Sequence, residues 1–457
     1  MRFHSTSVAE HAEAPLADEG RLEALTLRFE GRDPRRLLAS RADNADYVVS
    51  IPEGDDPRAR AAQLDEIVKL VTHQGDAVVG CESLPVRAPS ARTLLGKGAA
   101  LAVAERARAA GANMLVLDRE LSPSQARNLE DEIDMAVCDR EAVILNVFLR
   151  HARTRRARAQ VEIAQLRYLR PRIRGVGLSM DQQTGGMARA RGPGETASEL
   201  LARKLDGRIA HLEEVVASLA TSAETQRGGR ADLRRVALVG YTNAGKTSLM
   251  NALTGAELSA RDAPFETLDT TSRCLTRHGG AVVVSDTVGF IRRLPERLLT
   301  SFASTLAEVT AAHLLVIVVD VSDPERDLHV ATTDRVLTEL GAAAVPRLYV
   351  WNKADRLQIP PSRRVLDAAS GGHPWSLVSS RDPTQTAELA RAVVARARAD
   401  EATLTVRVPY ADARAMAQVY STCRVLESRA DERGVWLTVT GPEAALAALR
   451  GKARVRA

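Results

Sequence analysis

The chain has 457 residues, 45% of them apolar, and 63 Lys and Arg against 58 Asp and Glu leave a net charge of +5. That length exceeds one ordinary core and predicts roughly three globular domains; no apolar run is long enough to form a membrane span. Cys81, Cys138, Cys274 and Cys423 are scattered without a C-x-x-C pair, so neither a disulfide partner nor a zinc site is expected, and a reducing cytoplasm is.

The first 40 residues are polar and expected to be poorly ordered in part. With Glu10, Glu13, Asp18 and Glu19 they resemble neither a signal nor a transit peptide. Over 41–140, apolar strands at 47–49, 77–79 and 114–117 alternate with helical stretches at 61–72 and 99–109, which predicts a small α/β domain. Gly96, Lys97 and Gly98 lack the surroundings of a Walker loop, so no second nucleotide site is expected.

A helical hairpin is predicted over 141–228. Nine arginines (150, 153, 155, 156, 158, 167, 170, 172, 174) face one acid, Glu162, and no Gly or Pro interrupts before Pro171, which favours a long helix. In a second helix, over 196–221, Leu205, Ile209, Leu212, Val216 and Leu219 keep the 4-3-4-3 spacing of a coiled-coil seam. Arms of about 25 residues span roughly 37 Å. The link 170–195 carries Gly175, Gly177, Gly185, Gly186, Gly192 and Gly194 among Arg172, Arg174, Arg189 and Arg191. A basic tip on a rigid arm suits a phosphate-lined cavity, and the pI of about 9.2 agrees with a polyanionic partner. Tyr168 is the lone aromatic candidate, so phosphate contact and shape are expected rather than base stacking. A solvated basic helix with a disordered loop is the competing reading.

The segment 234–400 carries the chemistry. Gly240, Tyr241, Thr242, Asn243, Ala244, Gly245, Lys246 and Thr247 fit G-x-x-x-x-G-K-S/T between an apolar run (236–239) and an amphipathic stretch beginning at Ser248. In this setting backbone N–H groups turn onto phosphate oxygens, Lys246 adds a point charge, and the Thr247 hydroxyl ligates Mg²⁺. Asp286, Thr287, Val288 and Gly289 end another apolar strand: Asp286 holds the Mg²⁺ shell and the Gly289 N–H meets a γ-phosphate. Upstream, Phe265, Glu266, Thr267, Leu268 and Asp269 lie in a polar loop where a threonine closes over metal and phosphate. Thr267 is chosen, with Thr270 and Thr271 as rivals. Lys246, Thr267 and Gly289 are the catalytic candidates; Thr247, Thr267 and Asp286 are the metal ligands.

Asn352, Lys353, Ala354 and Asp355 follow a further strand. A carboxylate at Asp355 accepts both guanine N1–H and N2–H₂, a donor pair adenine lacks, with Ser379 and Ser380 backing the base. The substrate is therefore GTP and the product GDP. Strands near 236–239, 281–286, 314–320, 347–352 and 376–379 alternate with helices as in a parallel doubly wound sheet. Phe290 stands where a glutamine would orient the attacking water, so slow intrinsic hydrolysis and stimulation by a partner are expected. Residues 401–457 read as a small α/β domain.

Several of these stretches, taken together, resemble the HflX family of ribosome-associated GTPases. They are Gly240-Tyr-Thr-Asn-Ala-Gly-Lys246 with Asp286-Thr-Val-Gly-Phe-Ile291, Leu121-Ser-Pro-Ser-Gln-Ala-Arg-Asn-Leu-Glu130, Ala152-Arg-Thr-Arg155, Arg191-Gly-Pro-Gly-Glu-Thr196 and Val408-Pro-Tyr410. The resemblance implies a GTPase that binds the 50S subunit and its rRNA and splits stalled ribosomes when GTP is bound, a monomer away from the ribosome. It implies too that the glycine-rich loop nears the peptidyl-transferase region. Two stretches depart from the family: Thr270 and Thr271 follow Asp269 in place of Pro-Thr, and the loop has fewer glycines and Ala197 where Gln is usual. The alternative is a GTPase or nucleotide-stabilised scaffold that acts on another RNA or protein without splitting ribosomes.

Overall fold

The computed structural model describes residues 44–173, 197–228, 233–255, 271–275, 282–293, 308–450 and 454–455, less 53 and 55, with 295 and 298 besides. The polar first 40 residues, the tip of the glycine-rich link and the whole stretch 265–270 lie outside them.

The first sheet is parallel, in the order β2-β1-β3-β4: β1 (Ala45–Ser50), β2 (Ala77–Ser83), β3 (Met114–Leu117) and β4 (Ala136–Asp139). Crossover helices α1 (Pro57–Gln74), α2 (Lys97–Ala109) and α3 (Pro123–Ile133) join the strands, as parallel pairing requires. Local signals start them: Asp56 caps α1 ahead of Pro57, and Ser122 forms a capping box with Gln125 at α3. Next, α4 (Arg140–His151) is buried along 140–148 and packs with α1 in the first core, so the hairpin starts later than 141.

The single long helix expected from Arg150 is broken. At Ala152 the chain is extended (φ −68, ψ 107), and Thr154 Oγ1 accepts the Ala157 N–H at 3.1 Å to start α5 (Arg155–Ile173). A hydroxyl cap three residues ahead of a free N–H, rather than Gly or Pro, made the break. Against α5 lies α6 (Ala197–Gly228). Leu205 and Leu212, with Ile209 and Val216 beside them, pack on Ala159, Ile163, Leu166 and Ile173.

The second sheet runs β10-β9-β8-β5-β7-β6, from β5 (Arg234–Val239), β6 (Thr271–Cys274), β7 (Val282–Asp286), β8 (Leu314–Asp320), β9 (Arg347–Asn352) and β10 (Trp375–Leu377). All pairs are parallel except β6 with β7. The link from Cys274 to Val282 is too short for a crossover, so the expected wholly parallel sheet gains an antiparallel edge. Alternation divides its core: Val236 and Leu238 pack towards α7 (Lys246–Thr254) and α10 (Pro383–Ala397), while Ala237 and Val239 join a cluster that continues into α1, α4 and α5. Two further helices are α8 (Arg326–Glu339) and α9 (Arg363–Ala369).

The third sheet is antiparallel, in the order β12-β13-β11-β14: β11 (Glu401–Pro409), β12 (Arg424–Asp431), β13 (Gly434–Pro442) and β14 (Arg454–Val455). Helices α11 (Ala413–Thr422) and α12 (Glu443–Arg450) cover one face, over Val406, Val408, Leu437 and Val439. Arg234, with Asp400 at 2.9 Å and Glu401 at 2.8 Å, ties this unit to β5.

Candidate nucleotide site

The strand order reverses about β5, and ligands of open α/β sheets settle outside the carboxyl ends of strands at such a point. There Gly240 takes φ 149, and a Cβ would lie 2.2 Å from the Val318 carbonyl. Only glycine fits so close to β8. The loop then runs through Tyr241, Thr242, Asn243, Ala244 and Gly245 into α7, whose first turn holds Lys246, Thr247 and Ser248. The N–H groups of this turn have no helical acceptor, and together with the helix dipole they favour an anion.

Lys246 is 6% exposed, its ammonium donating to the carbonyls of Tyr241 (2.9 Å) and Gly240 (3.2 Å). Burial pushes its pKa down to about 8, although Asp286 pulls it back up, and Lys353 adds to the fall. A phosphate beside it would supply the counter-charge that burial demands.

The Thr247 hydroxyl donates to Asp286 Oδ2 at 2.7 Å, and Asp286 is fully buried. A hydroxyl and a carboxylate side by side are the hard oxygen donors a small divalent cation takes, so these two residues fit Mg²⁺. The third expected ligand, Thr267, lies outside the described residues with Phe265, Glu266, Leu268 and Asp269.

Beyond Asp286, the Thr287 hydroxyl donates to the Leu238 carbonyl at 2.7 Å, fixing the start of the segment to β5. Val288 is buried and Gly289 packs on the phosphate loop. The Phe290 N–H donates to Gly240 O at 3.0 Å and the Thr242 N–H to Phe290 O at 2.7 Å. Its ring, 1% exposed, belongs to the apolar cluster beneath the sheet, and burying such a ring is worth about 2 kcal/mol. Phe290 thus anchors the segment.

At the base end, Asn352 joins three loops. Its Nδ2 donates to Ala244 O at 3.0 Å, and its Oδ1 accepts the Ser380 N–H at 3.1 Å. Lys353, at φ 62, reaches back to Asn243 O (2.7 Å) and pairs with Asp320 (2.8 Å). Ala354 donates its N–H to Val378 O at 3.2 Å. The Ser379 hydroxyl donates to Asp355 Oδ1 at 2.7 Å. This bond is the first cause holding the Asp355 carboxyl below the usual range, so it stays an acceptor. Asp320 and the exposed Arg381, 3.5 Å from Asp355, were not among the expected residues. Ser379 meets Asp355 through its side chain, and the Ser380 N–H is held by Asn352.

On the arm, three arginines are paired with acids: Arg167 with Glu213 (2.6 Å), Arg170 with Asp206, and Arg172 with Asp139 (2.9 Å). Tyr168 is buried, its hydroxyl 3.0 Å from Asp139 and its ring under the Arg172 guanidinium. It fastens the arm to the first sheet and is closed to stacking on a base.

The sequence is similar to those of known proteins. Residues 61–149 match the family described as GTP-binding GTPase N-terminal, 151–230 the GTP-binding GTPase Middle Region, and 235–353 the 50S ribosome-binding GTPase. The chain is 44% identical to GTPase HflX of Spirochaeta thermophila over 331 residues, covering 71% of this chain and 79% of that protein. It is 38% identical to GTPase HflX of Gluconacetobacter diazotrophicus over 442 residues, covering 88% and 96%. Among solved structures, a GTP-binding protein from Sulfolobus solfataricus in complex with GDP aligns over 77% of this chain and 98% of its own. Its 21% identity and TM-score of 0.42 are too low to bear on the site.

Proposed function

The chain belongs to the HflX family of GTPases and is a GTP-hydrolysing enzyme; from that premise we propose that it is a GTP switch on the large ribosomal subunit that parts stalled ribosomes. The observation carrying this reading is the Thr247–Asp286 pair at 2.7 Å, beside Lys246 at the carboxyl end of β5. Phosphates sit on the N–H groups of Gly240–Ser248 and on Lys246. Asp355, with Ser379 behind it, selects guanine. Thr247, Asp286 and Thr267 hold Mg²⁺, which would neutralise phosphate charge. The Gly289 N–H meets the γ-phosphate, so the stretch that follows Asp286 answers to the presence of a third phosphate.

With Phe290 buried, no side chain at that position orients water. Basal single-turnover hydrolysis is therefore expected near ~10⁻⁴ s⁻¹, accelerated when a ribosome supplies the missing group. The α5–α6 arm and its glycine-rich link carry the RNA contacts, and the setting is the cytoplasm, with the protein monomeric off the ribosome. Among the described residues, no helix is long and apolar enough to cross a membrane.

Sedimentation of 70S ribosomes through sucrose with the chain under GTP, GDP or no nucleotide tests this. Release of 50S and 30S particles under GTP alone is expected. Identical profiles in all three conditions would sink the switch and leave a scaffold that holds nucleotide without acting on ribosomes.

A further inference from the structure

The nucleotide end meets the first sheet through a group of buried charges. Glu66, on α1, accepts hydrogen bonds from the Tyr241 hydroxyl of the phosphate loop and from Arg140 Nη2. The Tyr241 oxygen in turn accepts the Arg292 N–H at 2.8 Å. Arg140, 1% exposed, also donates to the Asp118 carboxylate and, at 2.7 Å, to the Arg292 carbonyl. Arg293 donates to Asp118 O at 3.2 Å, Arg292 Nη2 reaches Glu325 at 2.8 Å, and the Tyr241 ring stacks on His329 at 3.7 Å. Burial would raise the pKa of Glu66, but Arg140 and Arg292 outweigh it and hold the carboxyl below its ordinary value. Its charge is thus matched on both oxygens.

We infer that Glu66 is a positioning residue of the GTPase site, holding the phosphate loop through Tyr241 and the stretch after Gly289 through Arg140 and Arg292. The inference rests on the nucleotide reading above and adds a residue from outside the GTPase sheet. Its direction follows from packing. A Cβ at Gly289 would meet Thr242 Cγ2 at 2.8 Å and Lys246 Nζ at 3.0 Å. A third phosphate seated between Lys246 and the Gly289 N–H has to part these groups, whereas a diphosphate does not. The bonds of Glu66 oppose that parting, because both the loop and the stretch after Gly289 are tied to the same carboxylate. Weakening them therefore favours the triphosphate over the diphosphate. A merely structural ion pair would lower stability and leave that preference alone.

The test measures affinities of the full chain for GDP and for a non-hydrolysable GTP analogue with Mg²⁺, alongside thermal melts. The variants are Glu66→Gln, Tyr241→Phe, their double, and Glu66→Asp. Each of the first two should shift the affinity ratio toward the analogue by about fivefold or more. The double should go no further than the larger single, because the loop and the stretch after Gly289 are tied through the same carboxylate and losing either arm of that tie releases it. Glu66→Asp, which keeps the charge, should restore part of the wild-type ratio. If Glu66→Gln fails to fold, Tyr241→Phe decides alone, since it loses one oxygen and keeps its ring on His329. Ratios within about twofold of wild type, whatever the melts show, overturn the inference. Failure of the wild type to bind either nucleotide would instead overturn the nucleotide reading.

Discussion

The end of the GTPase sheet and the α5–α6 arm are both read as meeting phosphate, yet they hold positive charge in opposite ways. At the sheet end the donors are backbone N–H groups fixed where a strand meets a helix, plus two lysines oriented by carbonyls: Lys246 by Gly240 and Tyr241, Lys353 by Asn243. On the arm, Arg167, Arg170 and Arg172 are already engaged by acids, and Arg208 bonds Glu162 at 2.8 Å. Composition therefore overstates the arm's free charge. The difference teaches that one region recognises by geometry, where single atoms decide, and the other by summed charge, where salt decides.

The largest effects should fall on the first region. Lys246→Ala removes the one ammonium in the phosphate loop and is expected to weaken GTP and GDP by about a hundredfold in equilibrium titration, the scale of a lost charge-assisted bond. Asp355→Asn turns one of the two acceptor oxygens into a donor. GTP affinity should fall by about a hundredfold while xanthosine triphosphate gains, because a site made to pair with a polar edge rejects its absence strongly. Retained guanine selectivity in that variant would break the geometric half of the contrast.

Local chemistry explains which parts could be read from the sequence. The phosphate loop, Asp286 and Asn352–Asp355 each follow an apolar run, so periodicity and motif fall on the same residues. The register of the arm was legible through Leu205 and Leu212, since a coiled-coil seam depends only on spacing. Nothing in a linear pattern marks Glu66, Arg140 and Arg292 as neighbours, since their sequence separations are long and each looks like an ordinary surface charge. β4 is only four residues long, and α4 is enclosed along 140–148 with Arg140, Glu141 and Asn146 buried among its apolar residues, so neither gave a plain pattern. The break at Ala152 depended on a threonine cap, a signal far weaker than proline.

Matched and unmatched charge also part company inside the first core. Glu66 has two arginines, whereas Asp46, fully buried, has Asp76 as its charged neighbour near the Cys138 thiol. Burial first, then the Asp76 charge, raise the Asp46 pKa from 3.8 to about 7, while Gln74 opposes them. Between these values the folded chain keeps a proton that the unfolded chain releases. The associated stability is complete below about pH 4 and is lost as pH rises through about 7. Asp46→Asn removes that dependence, so its stability relative to wild type should climb between pH 5 and pH 8 by on the order of 2 kcal/mol in denaturant melts. A flat difference would show that Asp46 carries its charge in the fold at no cost.

The smallest effects, and the sharpest check on the arm, come from comparing its arginines with one another. Arg170, bonded to Asp206 across the hairpin, has its charge already engaged, whereas Arg155, at the start of α5, is exposed. If summed phosphate contact drives docking, Arg155→Gln should weaken binding to the large subunit a few-fold and reduce the slope of log affinity against log salt by about 1. Arg170→Gln should leave that slope unchanged. It releases an acid from an exposed pair, so stability should change little. Equal slopes for the two variants would mean that pairing with acids does not silence an arginine toward RNA, and the contrast between the two phosphate-seeking regions would then lie in their rigidity alone.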